Sequence, residues 1–162
     1  MKYKTFENRI VKLVEKTAEK KRDIMYQNTN EAFYLVPDGC SRAYYFYKLE
    51  GFRFENYVIG NTLINPNARE TDALKMISEK AERTAELAEK TEERIQDDGT
   101  VLVKYSTRNG ERENYFNEKL LKKFPDNALL YLPTGKWEPA IICMEDGDRF
   151  VNIGGIVPCR VF

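Results

Sequence analysis

Residues 68–99 read ARETDALKMISEKAERTAELAEKTEERIQDDG, and the secondary structure assigned to this stretch decides the fold. Leu74, Ile77, Ala81, Thr84, Ala88, Thr91 and Ile95 recur every three or four positions, the spacing of one helix face. Glu79 with Arg83 and Glu86 with Lys90 stand four apart and would support the exposed side. The pattern predicts a long helix over about 68–96, opened by Asn65-Pro66-Asn67 and stopped by Asp97-Asp98-Gly99. Its seam is mostly small residues, suited to close packing inside the molecule. The same stripe would serve a homodimer through the long helix.

On either side of that helix the chain reads as two copies of one unit. A shift of 96 positions sets Ala32 on Ala128, Pro37 on Pro133, Gly39 on Gly135, Gly51 on Gly147, Arg53 on Arg149, Phe54 on Phe150 and Asn56 on Asn152, seven identities in 25 positions. Each copy runs apolar stretch, Pro-x-Gly, apolar stretch, acidic residue-Gly, apolar stretch, so the identities fall where the chain must turn. The first copy predicts strands at Ala32–Val36, Arg42–Leu49 and Phe52–Ile59, the second at Ala128–Leu132, Pro139–Glu145 and Asp148–Ile153. A helix precedes each: Thr5 to about Gln27, with Phe6, Ile10, Leu13 and Val14 at helical spacing, and Asn117–Phe124. Between them, Val101–Thr107 and Glu111–Phe116 flank Asn109-Gly110, read as a type I′ hairpin turn. The expected fold is therefore α+β: two pseudo-repeated units of helix plus three-stranded antiparallel meander, about 18–60 and 114–157, joined by the long helix and an extra β-hairpin at about 100–116. All of it is expected within one compact domain, 1–162.

Composition narrows the chemistry. With 42% apolar and 32% charged residues the chain is neither disordered nor a membrane protein, and no apolar run exceeds the five residues Ala140–Met144. The N-terminus, MKYKTFENRI, lacks a secretory apolar stretch, and Cys40, Cys143 and Cys159 form no C-x-x-C pair, which together predict a reducing cytoplasm. Net charge is zero, but residues 1–27 carry eight cations against four acids and residues 69–98 six against ten. Such blocks neutralise each other and leave no global field for nucleic acid or membrane.

There is no histidine, which removes the commonest general base and metal ligand. No Gly-rich phosphate loop or G-x-S-x-G is present, and the acidic clusters Asp97-Asp98 and Glu145-Asp146-Gly147-Asp148 lack calcium-loop spacing. No enzyme activity, cofactor or metal is expected.

The candidate site is an aromatic hairpin. Seven aromatics lie between Tyr44 and Tyr57, and a two-residue turn at Glu50-Gly51 would pair Lys48 with Arg53, Phe46 with Glu55 and Tyr44 with Tyr57 on one face. Tyr44, Phe46, Lys48, Arg53, Glu55 and Tyr57 would then make a wet aromatic surface of the kind a protein partner buries. The alternative is stacking of single-stranded nucleic acid on the hairpin 42–59. The piece Gly51–Tyr57 resembles the aromatic strand motif of RNA-recognition-motif domains, from which Glu50, Arg53 and Glu55 depart. A third reading places a nucleotide or small-anion pocket between the two copies, with Arg53 and Arg149 as anion contacts. In size, Lys/Glu/Asn/Tyr-rich composition and lack of enzyme motifs the chain resembles bacteriophage and mobile-element accessory proteins, including inhibitors of host defence enzymes. That resemblance implies a regulatory role through a protein partner.

The nucleic-acid reading predicts oligonucleotide binding that falls steeply with salt and is lost in Tyr44→Ala or Arg53→Ala; fluorescence anisotropy across a salt series checks it.

Overall fold

The computed structural model describes residues 3–19, 24–28, 33–37, 43–47, 63–64, 79–80 and 83–161, with residues 24–64 described by backbone pairing alone. The chain begins with helix α1 (Tyr3–Glu19), then strands β1 (Ile24–Asn28), β2 (Phe33–Pro37), β3 (Ala43–Tyr47) and β4 (Leu63–Ile64). There follow β5 (Glu86–Asp97), β6 (Thr100–Thr107), β7 (Glu113–Asn117), a one-turn helix α2 (Glu118–Leu121), β8 (Leu129–Leu132), β9 (Ala140–Asp146) and β10 (Arg149–Ile156). They lie in one sheet of order β4-β1-β2-β3-β10-β9-β8-β5-β6-β7. Its six strands from β10 to β7 form a curled antiparallel sheet, and β4 pairs in parallel with β1.

The long helix expected over 68–96 is overturned by β5. An Asp-Gly pair between two runs that can pair as strands is also hairpin chemistry, and that is how the chain uses it. Asp98 (φ 44°) and Gly99 (φ 74°) both take left-handed conformations, as the central residues of a type I′ turn must, and Asp97 pairs with Thr100 across them. From there β5 runs antiparallel to β6 as far as Ala88, opposite Thr107. A register shift between Lys90 and Arg94 inserts extra residues into β5. This bulge breaks the period of two, so Ala88, Thr91 and Ile95 fall by coincidence at helical spacing. Residues 79–80 and 83–84 are helical, so helix gives way to strand at Glu86, and the seam that a homodimer would need through Ala88, Thr91 and Ile95 is cut short.

The repeat of helix and meander is also overturned. Helix α1 stops at Glu19, and Ile24–Asn28, the end of the expected helix, is strand β1. Its counterpart 96 positions on includes α2, so equivalent positions carry unlike structure. The two hairpins β2–β3 and β8–β9 do share a register, with Phe33 opposite Tyr47 and Leu129 opposite Cys143. Both then abut the same strand: Gly154 of β10 is opposite Tyr45 on one side and Ile142 on the other. A strand has two hydrogen-bonding edges, so β10 holds the place beside Ala43–Tyr45 that was expected for residues 52–59. The pocket expected between two repeat units falls with those units.

The expected hairpin after Gly99 is present as β6 and β7, but its turn differs. Asn109 does not take a positive φ, whereas Gly110 does (72°). Gly110 N–H donates to Thr107 O (2.9 Å), and Thr107 N–H to Arg112 O (2.9 Å), which gives a four-residue loop. Asn109 Oδ1 accepts from Thr107 Oγ1 (2.7 Å) and Glu111 N–H (3.2 Å) and so holds the loop from inside. Arg112 then staples three segments: Nη1 donates to Thr84 O (2.7 Å) and Leu132 O (3.0 Å), and Nη2 meets Glu86 Oε1 at 3.1 Å.

The core forms on one face of the sheet. Phe6 and Ile10 of α1, four residues apart, are fully buried against Phe116, Leu132, Ile142, Met144 and Ile153. Phe6 stacks on Phe124 with ring centroids 6.4 Å apart. Burying a ring of this kind contributes about 2 kcal/mol, which secures α1. In β9 Ala140, Ile142 and Met144 face this core, yet Ile141 on the opposite face is equally buried. Among the described residues no helix is long and apolar enough to cross a membrane.

A helix through residue 96 would tolerate alanine at its end, whereas the hairpin needs left-handed backbone. Asp98→Ala with Gly99→Ala should therefore cost about 2 kcal/mol, read as a lowered urea midpoint at unchanged slope.

Candidate functional site

Of the residues singled out by sequence, Tyr44 and Phe46 lie two apart on β3, hence on one face of it, Tyr44 opposite Gly155 and Phe46 opposite Tyr34. Lys48, Arg53, Glu55 and Tyr57 lie outside the described residues. Arg149 opens β10 opposite Asp146, with its side chain outside the description. The expected surface is thus not assembled by the described part of the molecule. Another one is.

Between β8 and β9 the chain turns through Pro133 to Pro139. Glu138 N–H donates to Gly135 O (3.1 Å), and the nearly buried Asn114 of β7 donates through Nδ2 to Lys136 O (2.7 Å). Glu138 is held in turn by Lys80 (2.7 Å). This fixed turn leaves Trp137 47% exposed. The segment after β10 returns along the outer edge of β7, where Cys159 N–H donates to Tyr115 O (2.8 Å). The next residue, Arg160, thereby reaches Trp137, its Cζ 5.0 Å from the ring centroid, while Lys136 Nζ stands 5.4 Å from it. Two cations on one indole make a patch of cation–π contacts, bordered by the 39% exposed Val161. Beside it opens a cleft of about 440 Å³ lined by Asp97, Asp98, Leu102, Pro158 and Arg160, among others.

Next to this patch the exposed sheet face carries a closed polar network. Lys104 Nζ lies 3.1 Å from Glu93 Oε2 and 2.9 Å from Glu113 Oε2, and Tyr115 donates its hydroxyl to Glu93. The β5 bulge aims Glu93 there: its N–H donates to Thr91 Oγ1 (3.2 Å), and no register pair ties it to β6. The hydrogen bond from Tyr115, then that from Lys104, holds the Glu93 carboxyl below its usual value of 4.5. The bonds to Glu113 and Glu93 keep Lys104 protonated well beyond 10.5, and the bond to Glu93 raises the Tyr115 hydroxyl above 10.0.

A second network surrounds Glu118 at the start of α2, with Lys122 at 3.1 Å, Arg94 at 3.2 Å and Lys90 at 3.6 Å. The Lys122 bond foremost lowers its pKa. Asn117 caps the same turn through Oδ1, which accepts from Lys119 N–H (2.9 Å).

Among the described residues no group of three His, Cys, Asp or Glu could hold a metal ion, and Cys143 and Cys159 form no disulfide. Sequence reasoning missed Trp137, although a signal existed. An aromatic inside Pro-Thr-Gly-Lys-Trp-Glu-Pro, a run of turn residues, has no strand face in which to bury itself. Arg160 gave no local signal, because the Cys159–Tyr115 bridge alone brings it to the ring. No protein-family model, curated protein or solved structure matches the chain.

The signs of the shifts fix the pH response. Glu93, with its lowered pKa, contributes stability above 4.5 and loses it as pH falls through the depressed value. Lys104 and Tyr115, both raised, contribute below their ordinary values of 10.5 and 10.0 and lose that contribution as pH rises through the raised ones. With no histidine in the chain, the urea midpoint should stay flat between about pH 6 and 9 and fall on either side. Lys104→Met should move the Glu93 pKa upward yet leave it below 4.5, since the Tyr115 bond persists; carboxyl NMR titration reads both.

Proposed function

We propose that this chain is a non-catalytic, regulatory binding protein of the cytoplasm that acts by docking on a protein partner. The observation that carries the reading is Trp137, half exposed on a turn that hydrogen bonds hold in place, with Lys136 and Arg160 over its ring. Trp and Arg dominate binding energy at protein interfaces because they offer large area and directed donors at little ordering cost. Here the ordering is already done by the Asn114 and Cys159 hydrogen bonds.

Among the described residues, the titratable groups displaced from their usual pKa values support a non-catalytic reading. General acids and bases work near neutral pH, which requires carboxyl groups raised and lysines lowered. Glu93, Glu118 and Glu138 are instead lowered, and Lys104, Tyr105, Tyr115 and Tyr131 raised. The cytoplasmic setting rests on three cysteines without a paired motif. A role like that of phage or mobile-element accessory proteins fits the same reading through the compositional resemblance alone.

Trp137→Ala combined with Arg160→Ala should leave folding stability within about 0.5 kcal/mol, as for other surface changes. The same variant should lose proteins that the unaltered chain retains from a bacterial lysate, by quantitative mass spectrometry. Undiminished retention would show that partners bind elsewhere.

A further inference from the structure

The chemistry of the partner follows from which groups at the Trp137 patch are left unsatisfied, an inference that rests on the docking reading above. Lys80, Lys90, Arg94, Lys104, Arg112 and Lys122 all stand within 4.0 Å of a carboxylate. Lys136 and Arg160 have no such carboxylate among the described residues, yet both are ordered against an indole. A guanidinium and an ammonium held in place over a ring have part of their side-chain entropy already spent, so an incoming anion gains more from them than from free surface lysines. Leu102, Val157 and Pro158 give the adjoining cleft apolar lining, and Val161, next in the chain to Arg160, is exposed.

We infer that the patch receives an extended segment of a protein partner in which acidic residues alternate with aliphatic ones. Its carboxylates meet Lys136 and Arg160, and an aliphatic side chain enters the cleft over Pro158. Asp97 and Asp98 also line the cleft and repel acids there, so an aliphatic rather than an acidic side chain of the segment enters it. Single-stranded nucleic acid fits less well. Its bases need an open aromatic face for stacking, and the Trp137 ring already carries two cations that a base would have to displace.

Trp137 is the single tryptophan of the chain, so its intrinsic emission reports this site alone. The test titrates the full chain with a blocked peptide of alternating Glu and Leu, with the same peptide carrying Gln or Lys for Glu, and with oligothymidylate. The expected result is a saturable emission shift with the Glu peptide only. That shift should need about tenfold more peptide in Lys136→Gln/Arg160→Gln, and more peptide as salt rises. No shift up to millimolar Glu peptide, an equal shift in the double variant, or a larger shift with oligothymidylate would each overturn the proposal. Trp137-dependent protein capture without a response to the Glu peptide would remove the acidic chemistry and leave the docking reading standing. Loss of both would remove the two together.

Discussion

The left-handed pair Asp98-Gly99 is the constraint on which the rest of the described fold depends. A type I′ turn matches the twist of the strands it joins, so once it forms, residues 86–97 must run back along β6 and cannot be helical. Strand β5 is then held between β6 and β8, and through β8 it ties the β5–β6–β7 half of the sheet to β9 and β10. Little in β5 is apolar enough to drive this: of its twelve residues only Ala88 is fully buried. Its order comes from ladder hydrogen bonds and from Arg112, which pins both its start and the end of β8.

The same arrangement explains why the polar networks lie where they do. A strand rich in Glu, Lys and Arg presents charge on both faces, and each face finds partners nearby. On one, the bulge brings Glu93 to Lys104 and Tyr115; on the other, Lys90 and Arg94 reach Glu118. Exposed ion pairs of this kind contribute little individually, but they answer most of the local charge within the molecule. Lys136 and Arg160 are outside these networks and lie over the Trp137 ring instead, and the functional reading begins there. The closing of the C-terminal segment over the edge of β7 both covers an exposed strand edge and delivers Arg160 to that ring.

How much could be read without coordinates depends on how local each determinant is. Strands β2, β3, β6, β7, β8, β9 and β10 were legible because β-branched and aromatic runs bounded by Pro, Gly and acidic turns specify extended chain through short-range sterics alone. Helix α1 was legible in its first half, where Phe6 and Ile10 mark the buried side, but its end at Glu19 was not. Residues 24–28 are strand because β2 and β4 lie beside them, a fact that no local pattern encodes. The candidate site was hardly legible. The face expected on 42–59 presumed a hairpin partner where β10 stands, and Arg160 comes near Trp137 only through a bridge to a residue 44 positions earlier.

By itself, then, the amino-acid sequence determined the apolar strands, the turns, the absence of histidine chemistry and the internal balance of charge. Each is a property of neighbouring residues or of composition. Tertiary structure alone decided that 86–97 is a strand, that two hairpins share β10, and that Lys136 and Arg160 meet on Trp137. The physical reason is the same in all three. Helix and strand propensities differ by fractions of a kcal/mol per residue, so partners distant in the chain settle the outcome wherever the local preference is weak or the hydrophobic period is broken by a bulge.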